Sequence, residues 1–205
     1  MRDRDANEAP GSEGGRDEEA RLVARLRRSE PGAFDEVYRR HHPGIWRFLR
    51  QLARSQALAE DLFQDTWVAA ARNAHRLRSD TRLLAWLYAI ARNKHKNALR
   101  TAARDRQRHT ALAAEAAEPG LVPDAEAALR QRAERLRAAL ARLPDAHREV
   151  LLLFAVQGLE TEAVGRILEL SADAVRKRLS RARAALLCEA GLDGERDDLP
   201  RRDDP

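Results

Sequence analysis

Basic side chains are concentrated on one side of a short segment near the end of the chain, residues 172–186. Four apolar residues recur there at intervals of three and four, which places them on one face of a helix: Val175, Leu179, Ala182 and Leu186. The other side carries polar and cationic side chains: Arg176, Lys177, Ser180, Arg181 and Arg183. Guanidinium groups held this close repel one another, and a polyanion relieves that repulsion by accepting charge-assisted hydrogen bonds. The segment therefore favours nucleic-acid binding, with an ordinary solvated basic helix as the alternative.

A shorter apolar helix and a turn are predicted just before this segment. Val164, Ile167 and Leu168 supply the apolar face of that helix, and Ser171 stands where an N-cap side chain would begin the basic helix. A supporting helix, a turn and a basic helix in this order are typical of a DNA-binding helix-turn-helix, here over residues 158–184.

A compact acidic patch lies in the first half of this basic chain. On the helix predicted over residues 58–73, the side opposite the apolar stripe carries Glu60, Asp61, Gln64 and Asp65, in two pairs that are each one turn apart. The patch is a candidate interface, although a solvated helix face has the same pattern.

A second polar face is predicted on the helix over residues 82–100. It carries cations and amides outside the apolar stripe: Arg92, Asn93, His95, Lys96, Asn97 and Arg100. Amide groups beside cations suit contacts to base edges and phosphates. The alternative is an exposed helix end whose cations complement the C-terminal dipole.

Composition limits the class of protein. The chain has 205 residues, a formal net charge of +5 and only 4% aromatic residues, so its cores must consist mainly of Leu, Ala and Val, which favours helices. The single cysteine, Cys188, excludes an intrachain disulfide and a Cys-rich zinc site, and we expect it to be a small buried or half-buried residue. Without a long apolar run or a signal peptide, we expect a cytoplasmic protein with no membrane insertion of its own.

The fold class predicted is all-α, with two small helical domains joined by a flexible linker and the second domain ending in the helix-turn-helix. Residues 1–19 form a polar, disordered tail, with order beginning near Ala20, and the first helical domain covers 20–100. Within it, Pro43 and Gly44 predict a break between two helices. A linker follows over 101–124, the second domain covers 125–190, and 191–205 form a charged tail.

Three segments together resemble one known family. They are AEDLFQDTW (59–67), LLAWLYAIARNKHKNALR (83–100) and GLETEAVGRILELSADAVRKRLSRARAAL (158–186). Their sequences, order and spacing resemble the extracytoplasmic-function (ECF) subfamily of sigma-70-type RNA polymerase sigma factors, over roughly residues 20–188.

The resemblance implies a role for each polar face in promoter-directed transcription initiation. The segment like 59–67 docks on the clamp helices of the largest subunit of core RNA polymerase, which gives the docking residues Glu60, Asp61, Gln64 and Asp65. The segment like 83–100 faces the promoter −10 element with Arg92, Asn93, Lys96, Asn97 and Arg100, and the preceding loop 76–82 grips an unstacked base. The second domain reads the −35 element with Arg176, Lys177, Arg178, Ser180 and Arg181. The resemblance also implies promoter DNA and an anti-sigma factor as partners, no cofactor or metal, and no enzymatic activity.

Three positions depart from the family pattern. Glu169 stands in the turn where Gly is usual, so the turn either holds a non-Gly residue at positive φ or follows another path. Glu160 replaces a capping Ser, which predicts that Thr161 caps the supporting helix instead. Asn97 replaces the usual Asp.

Two other classes of function would each account for part of the sequence. A stand-alone helix-turn-helix regulator needs only the second domain, and it would bind duplex DNA without polymerase. The other class is an enzyme, for which His41 and His42 with Glu60 and Asp61 are conceivable metal ligands, but the chain has no HExxH, P-loop or nucleophile-elbow motif.

Overall fold

The computed structural model describes residues 13–53, 55–108, 125–156 and 158–191, and every regular element in these ranges is helical. This confirms the predicted all-α class. Most of the predicted linker and C-terminal tail, and residues 1–12 of the predicted N-terminal tail, lie outside the described residues. The chain divides into two compact units. Among the described residues, the first unit comprises 13–50 and 55–96, and the second comprises 51–53, 97–108, 125–156 and 158–191.

The first unit contains α1 Glu13–Arg27, most of α2 Ala33–Leu52, α3 Gln56–Asn73 and α4 Leu83–Arg108 as far as Lys96, with a 3-10 turn at Ala74–Arg76. Each helix buries one apolar face, and the largest fully buried side chains include Leu22, Ile45, Phe48, Leu49, Leu83, Leu87 and Tyr88. The rings of Phe48 and Tyr88 meet edge to face at 5.2 Å. Burial raises the pKa of the Tyr88 phenol, which stays protonated at neutral pH.

Helix α1 begins before the predicted limit of 20, and helix α4 ends after the predicted limit of 100. Helix α1 starts at Glu13 rather than near Ala20, and its carboxylates pair with arginines distant in sequence: Glu18 with Arg40 at 3.4 Å and Glu19 with Arg82 at 3.0 Å. Hydrophobic periodicity cannot reveal such pairs. Helix α4 continues to Arg108, through residues predicted as linker, because that stretch is rich in Ala and Arg, which are strong helix formers.

The break predicted at Pro43 and Gly44 is wrong, because α2 runs through both residues as one helix. Proline cannot donate a backbone hydrogen bond to the carbonyl four residues earlier, which here belongs to Arg39. The Nδ1 atom of His42 lies 3.3 Å from that carbonyl oxygen and 3.1 Å from that of Tyr38. The ring therefore supplies a polar partner at the gap, while the buried face continues through Ile45 and Phe48.

The helices of the second unit are α5 Ala125–Arg142, α6 Asp145–Leu151, α7 Thr161–Leu168 and α8 Ala172–Ala190, and a π-helical stretch, Leu152–Val156, follows α6. Helix α8 packs against α5, α6 and α7. Arg148 on α6 is buried, and its guanidinium donates to the carbonyl oxygens of Leu140, Ala141 and Leu143 at 3.0, 2.6 and 2.9 Å. These bonds satisfy carbonyls that the end of α5 leaves without helical partners.

The turn between α7 and α8 settles the alternatives left open at Glu169. Glu169 adopts the left-handed conformation, with φ 59° and ψ 46°, and the next N–H, of Leu170, donates to Gly165 O at 2.9 Å. Ser171 caps α8 as predicted, because its Oγ accepts from Ala174 N at 3.2 Å.

Two smaller expectations for this unit are wrong. Thr161 is already the first helical residue of α7, so Glu160 takes the N-cap position and makes no side-chain capping bond. Cys188 is exposed, because the fully buried stripe of α8 ends at Ala182.

The turn after α7 folds back against Gly165 and leaves no room for a side chain there. A Cβ atom there would lie 2.8 Å from the backbone oxygen of Leu170. We therefore expect Gly165→Ala to lower the free energy of unfolding by about 1–3 kcal/mol, as overpacking does, despite the better helix propensity of alanine. Urea unfolding followed by circular dichroism measures this, with Arg166→Ala at the exposed neighbouring position as control. Unchanged stability of Gly165→Ala would contradict the described closure of the turn.

At Glu169, which is left-handed, a substitution is expected to raise the free energy of unfolding instead of lowering it. Glycine has no Cβ to strain a positive φ, so Glu169→Gly should raise the free energy of unfolding by about 0.5–1 kcal/mol. The matched control is Glu162→Gly, which places glycine in the first turn of α7 and should cost about 1 kcal/mol. Opposite shifts of the two urea midpoints are the expected result. Equal losses would show that residue 169 does not adopt a left-handed conformation in solution.

Candidate functional site

Helix α8 presents its cations to solvent because its apolar stripe is anchored in the second unit. Val175 and Ala182 are fully buried and Leu179 is 5% exposed. On the other side, the side chains predicted to read DNA are exposed, except Arg178, which is half-buried: Arg176, Lys177, Ser180 and Arg181. The predicted orientation of the helix is therefore present, and the contact with DNA remains a prediction.

Local contacts hold some of the exposed cations of α8 in place. Lys177 Nζ lies 2.8 Å from Asp173 Oδ2, one turn earlier on α8, and both side chains are more than half exposed. The guanidinium of Arg183 lies over the ring of Phe154, 5.4 Å from its centroid. Within the described part of the chain, Arg176 and Arg181 have no ion-pair partner, so both guanidinium groups are available to an anionic ligand.

The acidic patch on α3 is exposed as predicted. Glu60, Asp61, Gln64 and Asp65 are all exposed, on the side of α3 opposite the buried Ala59, Leu62, Thr66 and Trp67. Two of its carboxylates have partners, since Glu60 Oε1 accepts from Gln56 Nε2 at 2.9 Å and Asp65 Oδ2 accepts from Lys94 Nζ at 3.1 Å.

A cluster of aromatic rings that residue spacing does not predict adjoins this patch. Tyr38 on α2 lies 4.7 Å from Trp67 and is 39% exposed, and Phe63 on α3 lies 5.5 Å from Trp46. Phe63 and Trp67 are one turn apart on α3, which gives the only local signal. The rings from α2 come from a distant part of the sequence, and only helix packing brings them together.

The polar face of α4 differs from its prediction. Asn93, Asn97 and Arg100 are exposed and Lys96 is half-buried, but Arg92 is 7% exposed and His95 only 1%. Each buried polar residue lies one turn after a buried core residue, Arg92 after Tyr88 and His95 after Ala91, so both continue buried rows. The prediction that Arg92 and His95 lie outside the apolar stripe is therefore wrong.

The loop that precedes α4 has a defined shape. The main-chain N–H of Arg78 donates to Thr81 Oγ1 at 2.9 Å, and the N–H of Thr81 donates to Arg78 O at 3.1 Å. Leu77 is buried, while Arg78, Ser79 and Asp80 are exposed. The loop therefore offers a polar tip on an anchored base.

His41, His42, Glu60 and Asp61 do not form a metal site in the part of the chain that the structure describes. Across the described ranges, no three His, Cys, Asp or Glu side chains lie close enough to hold a metal ion. Burial, with a smaller contribution from Arg40, lowers the pKa of His41 to about 4 against an opposing effect of Glu19, so this ring is neutral at pH 7. No helix in the described ranges is long and apolar enough to cross a membrane.

Comparison with known proteins assigns both units to one family. Residues 37–105 match the family model for sigma-70 region 2, and residues 133–186 match that for sigma-70 region 4. The region 2 match covers much of the first unit and extends to residue 105, and the region 4 match lies in the second unit, in the order that the resemblance implies.

Whole-chain similarity agrees with these matches. The chain is 35% identical to the RNA polymerase sigma factor CarQ of Myxococcus xanthus over 168 residues, which cover 78% of this chain and 90% of CarQ. It is 33% identical to the ECF RNA polymerase sigma factor SigM of Mycobacterium tuberculosis over 175 residues, 84% of this chain and 86% of SigM. Among solved structures, CnrH in complex with the cytosolic domain of CnrY matches with a TM-score of 0.63 and 27% identity, over 85% of this chain and 98% of CnrH. The chain therefore belongs to the ECF subfamily of sigma-70-type RNA polymerase sigma factors.

Proposed function

We propose that this sigma factor, which is not itself an enzyme, binds core RNA polymerase through α3, reads the promoter −10 element with α4 and its preceding loop, and reads the −35 element with α8. The observation that carries the proposal is the geometry of α8, where a buried stripe holds a row of exposed cations in one orientation. The two domains proposed are residues 20–100 and 125–190.

The −35 element is assigned to the exposed side of α8. Its N-terminal turn is capped by Ser171, and the first turns of a recognition helix are the part that enters the major groove. Arginines there can form bidentate hydrogen bonds with guanine, and the other cations can contact phosphates. The contact set is Arg176, Lys177, Arg178, Ser180 and Arg181.

The −10 element is assigned to the exposed side chains of α4, Asn93, Lys96, Asn97 and Arg100, and to loop 76–82. Arg92 is not kept in this set, because a side chain with 7% exposure cannot reach DNA while it stays in the unit. Bases become accessible to side chains once the strands separate, so the exposed loop tip suits an unstacked base.

The proposed docking surface for core polymerase is the acidic patch on α3, which consists of Glu60, Asp61, Gln64 and Asp65. The adjoining rings of Tyr38 and Phe63 support this, because interfaces combine aromatic contact area with a charged rim. Such a surface suits a partner helix that carries cations and apolar residues.

A regulatory partner also follows from similarity. CnrH, which is 27% identical to this chain, was solved in complex with the cytosolic domain of CnrY. We propose that this chain likewise has a protein inhibitor, an anti-sigma factor, and that it acts in the cytoplasm, where polymerase and promoter DNA meet.

Runoff transcription tests the central proposal. Purified core polymerase should start transcripts from a library of promoter fragments only when this chain is added, and the chain alone should bind duplex fragments weakly. Specific binding to duplex DNA without polymerase, with no stimulation of transcription, would instead support the stand-alone regulator.

The recognition helix gives a prediction about sequence discrimination. Arg176→Ala, Lys177→Ala and Arg181→Ala should each reduce transcription, since each removes a base or phosphate contact. A lost base contact should cost about 1–3 kcal/mol at one promoter position, whereas a lost phosphate contact should weaken all sequences alike. Transcription from promoters varied in the −35 element measures this, with Arg137→Ala, an exposed arginine on α5, as control. Wild-type profiles for all three variants would rule out the assigned face.

The acidic patch gives a prediction about polymerase binding. The double variant Asp61→Arg and Asp65→Arg should lose binding, because like charges then face each other at a cost on the order of several kcal/mol. Its melting temperature should barely change, since both side chains are exposed and the surface pair between Asp65 and Lys94 contributes only about 0–1 kcal/mol.

The matched control carries the same change of charge elsewhere. Asp17→Arg with Asp35→Arg alters two exposed carboxylates on α1 and α2. This control should bind core polymerase normally. Equal binding by both double variants would refute docking through α3.

A further inference from the structure

Helix α1 contacts both ends of the loop that precedes α4. At one end, α1 packs against the 3-10 turn Ala74–Arg76. At the other end, the Glu19 carboxylate accepts two hydrogen bonds, from Arg82 Nη1 at 3.0 Å and from the main-chain N–H of Leu83 at 2.9 Å. One helix therefore spans the gap between the two stems of loop 76–82.

The bonds at Glu19 fix a particular place on the backbone. Leu83 is the first residue of α4, and its N–H is one of the four that a helix leaves without a partner. A carboxylate at this position is also favoured by the helix dipole. The side chain of Glu19 is 24% exposed, so solvent screens these interactions less than it screens an ordinary surface pair.

The remainder of the loop is held by its own short hydrogen bonds between Arg78 and Thr81 and by the buried Leu77. With both stems fixed by α1, the exposed tip at Arg78, Ser79 and Asp80 has no free hinge at its base. A binding group whose backbone is fixed in advance avoids the entropy cost of ordering when its ligand arrives.

We propose that Glu19 is a positioning residue for promoter recognition: by joining α1 to the start of α4, it holds loop 76–82 in the shape that binds an unstacked base of the −10 element. The proposal rests on the proposed function of the loop. Helix α1 ends before residue 37, where the match to sigma-70 region 2 begins, so the family match does not assign this role.

The test measures discrimination rather than total activity. Core polymerase with the wild type or a variant transcribes linear promoter fragments that carry a randomised −10 element and a barcode in the transcript. We expect Glu19→Ala to reduce the preference for the best −10 sequence over single-base changes by about tenfold, the size of one lost base contact. Binding to core polymerase and the −35 preference should stay at wild-type levels. Glu19→Gln, which keeps an acceptor for Leu83 N–H but loses the charge opposite Arg82, should have an intermediate effect.

The matched control is Glu18→Ala. It removes the neighbouring carboxylate, which pairs with Arg40 on α2 at 3.4 Å, and both side chains of that pair are more than half exposed. This variant should discriminate like the wild type. A purely structural role of Glu19 would lower transcription from all −10 sequences in proportion and leave their ratios unchanged, and that result in Glu19→Ala, or in Glu19→Gln if the alanine variant does not fold, would overturn the proposal.

Variants of the loop distinguish a wrong role for Glu19 from a wrong function for the loop. Arg78→Ala and Ser79→Ala change the exposed tip and leave Glu19 intact. If they alter −10 discrimination and the Glu19 variants do not, the positioning role is refuted while the loop keeps its function. If the loop variants also discriminate like the wild type, the assignment of the loop is wrong and the role of Glu19 falls with it.

Discussion

Burial of the apolar stripe on α8 is the interaction on which the assigned −35 surface depends. Val175, Leu179 and Ala182 sit against α5, α6 and α7, and full burial of a Val or Leu side chain contributes about 1.5–3 kcal/mol. Successive residues of a helix are about 100° apart, so rotation by one position would direct cations into the core. The same contacts that stabilise the second unit therefore select which side of α8 faces solvent, and this is the side proposed to read the −35 element.

Helices α3 and α4 likewise bury one face and expose the other, but their exposed faces carry opposite charges. Helix α3 buries Leu62 and Trp67 and presents carboxylates, while α4 buries Leu87 and Tyr88 and presents Asn93 and Arg100. If polymerase and DNA bind these helices as proposed, the negative and the positive surface favour different sides for the two ligands, since like charges exclude the wrong ligand. The pair between Asp65 and Lys94 is where the two surfaces meet.

Local periodicity predicted the features that depend on a single helix. The stripes of α3 and α8, the cap at Ser171 and the exposure of the acidic patch all follow from residue spacing, and the structure agrees with each. Features that depend on two distant segments were not predictable in this way. The burial of Arg92 reflects the width of the contact that α4 makes, which spacing does not define, and the early start of α1 reflects ion pairs with residues far along the chain.

Two polar side chains, Arg148 and Glu19, fix the position of one helix along another, which apolar stripes do only weakly. Packing of Leu and Ala faces determines which sides of two helices meet, yet it constrains their position along the axis only weakly, because similar side chains recur every turn. Hydrogen bonds are directional and short, so a charged group bonded to a helix end fixes that position. Arg148 does this at the carbonyl end of α5, and Glu19 does it at the amide end of α4. In a chain with few aromatic residues to interlock its cores, such bonds to helix ends set the register that the reading surfaces require.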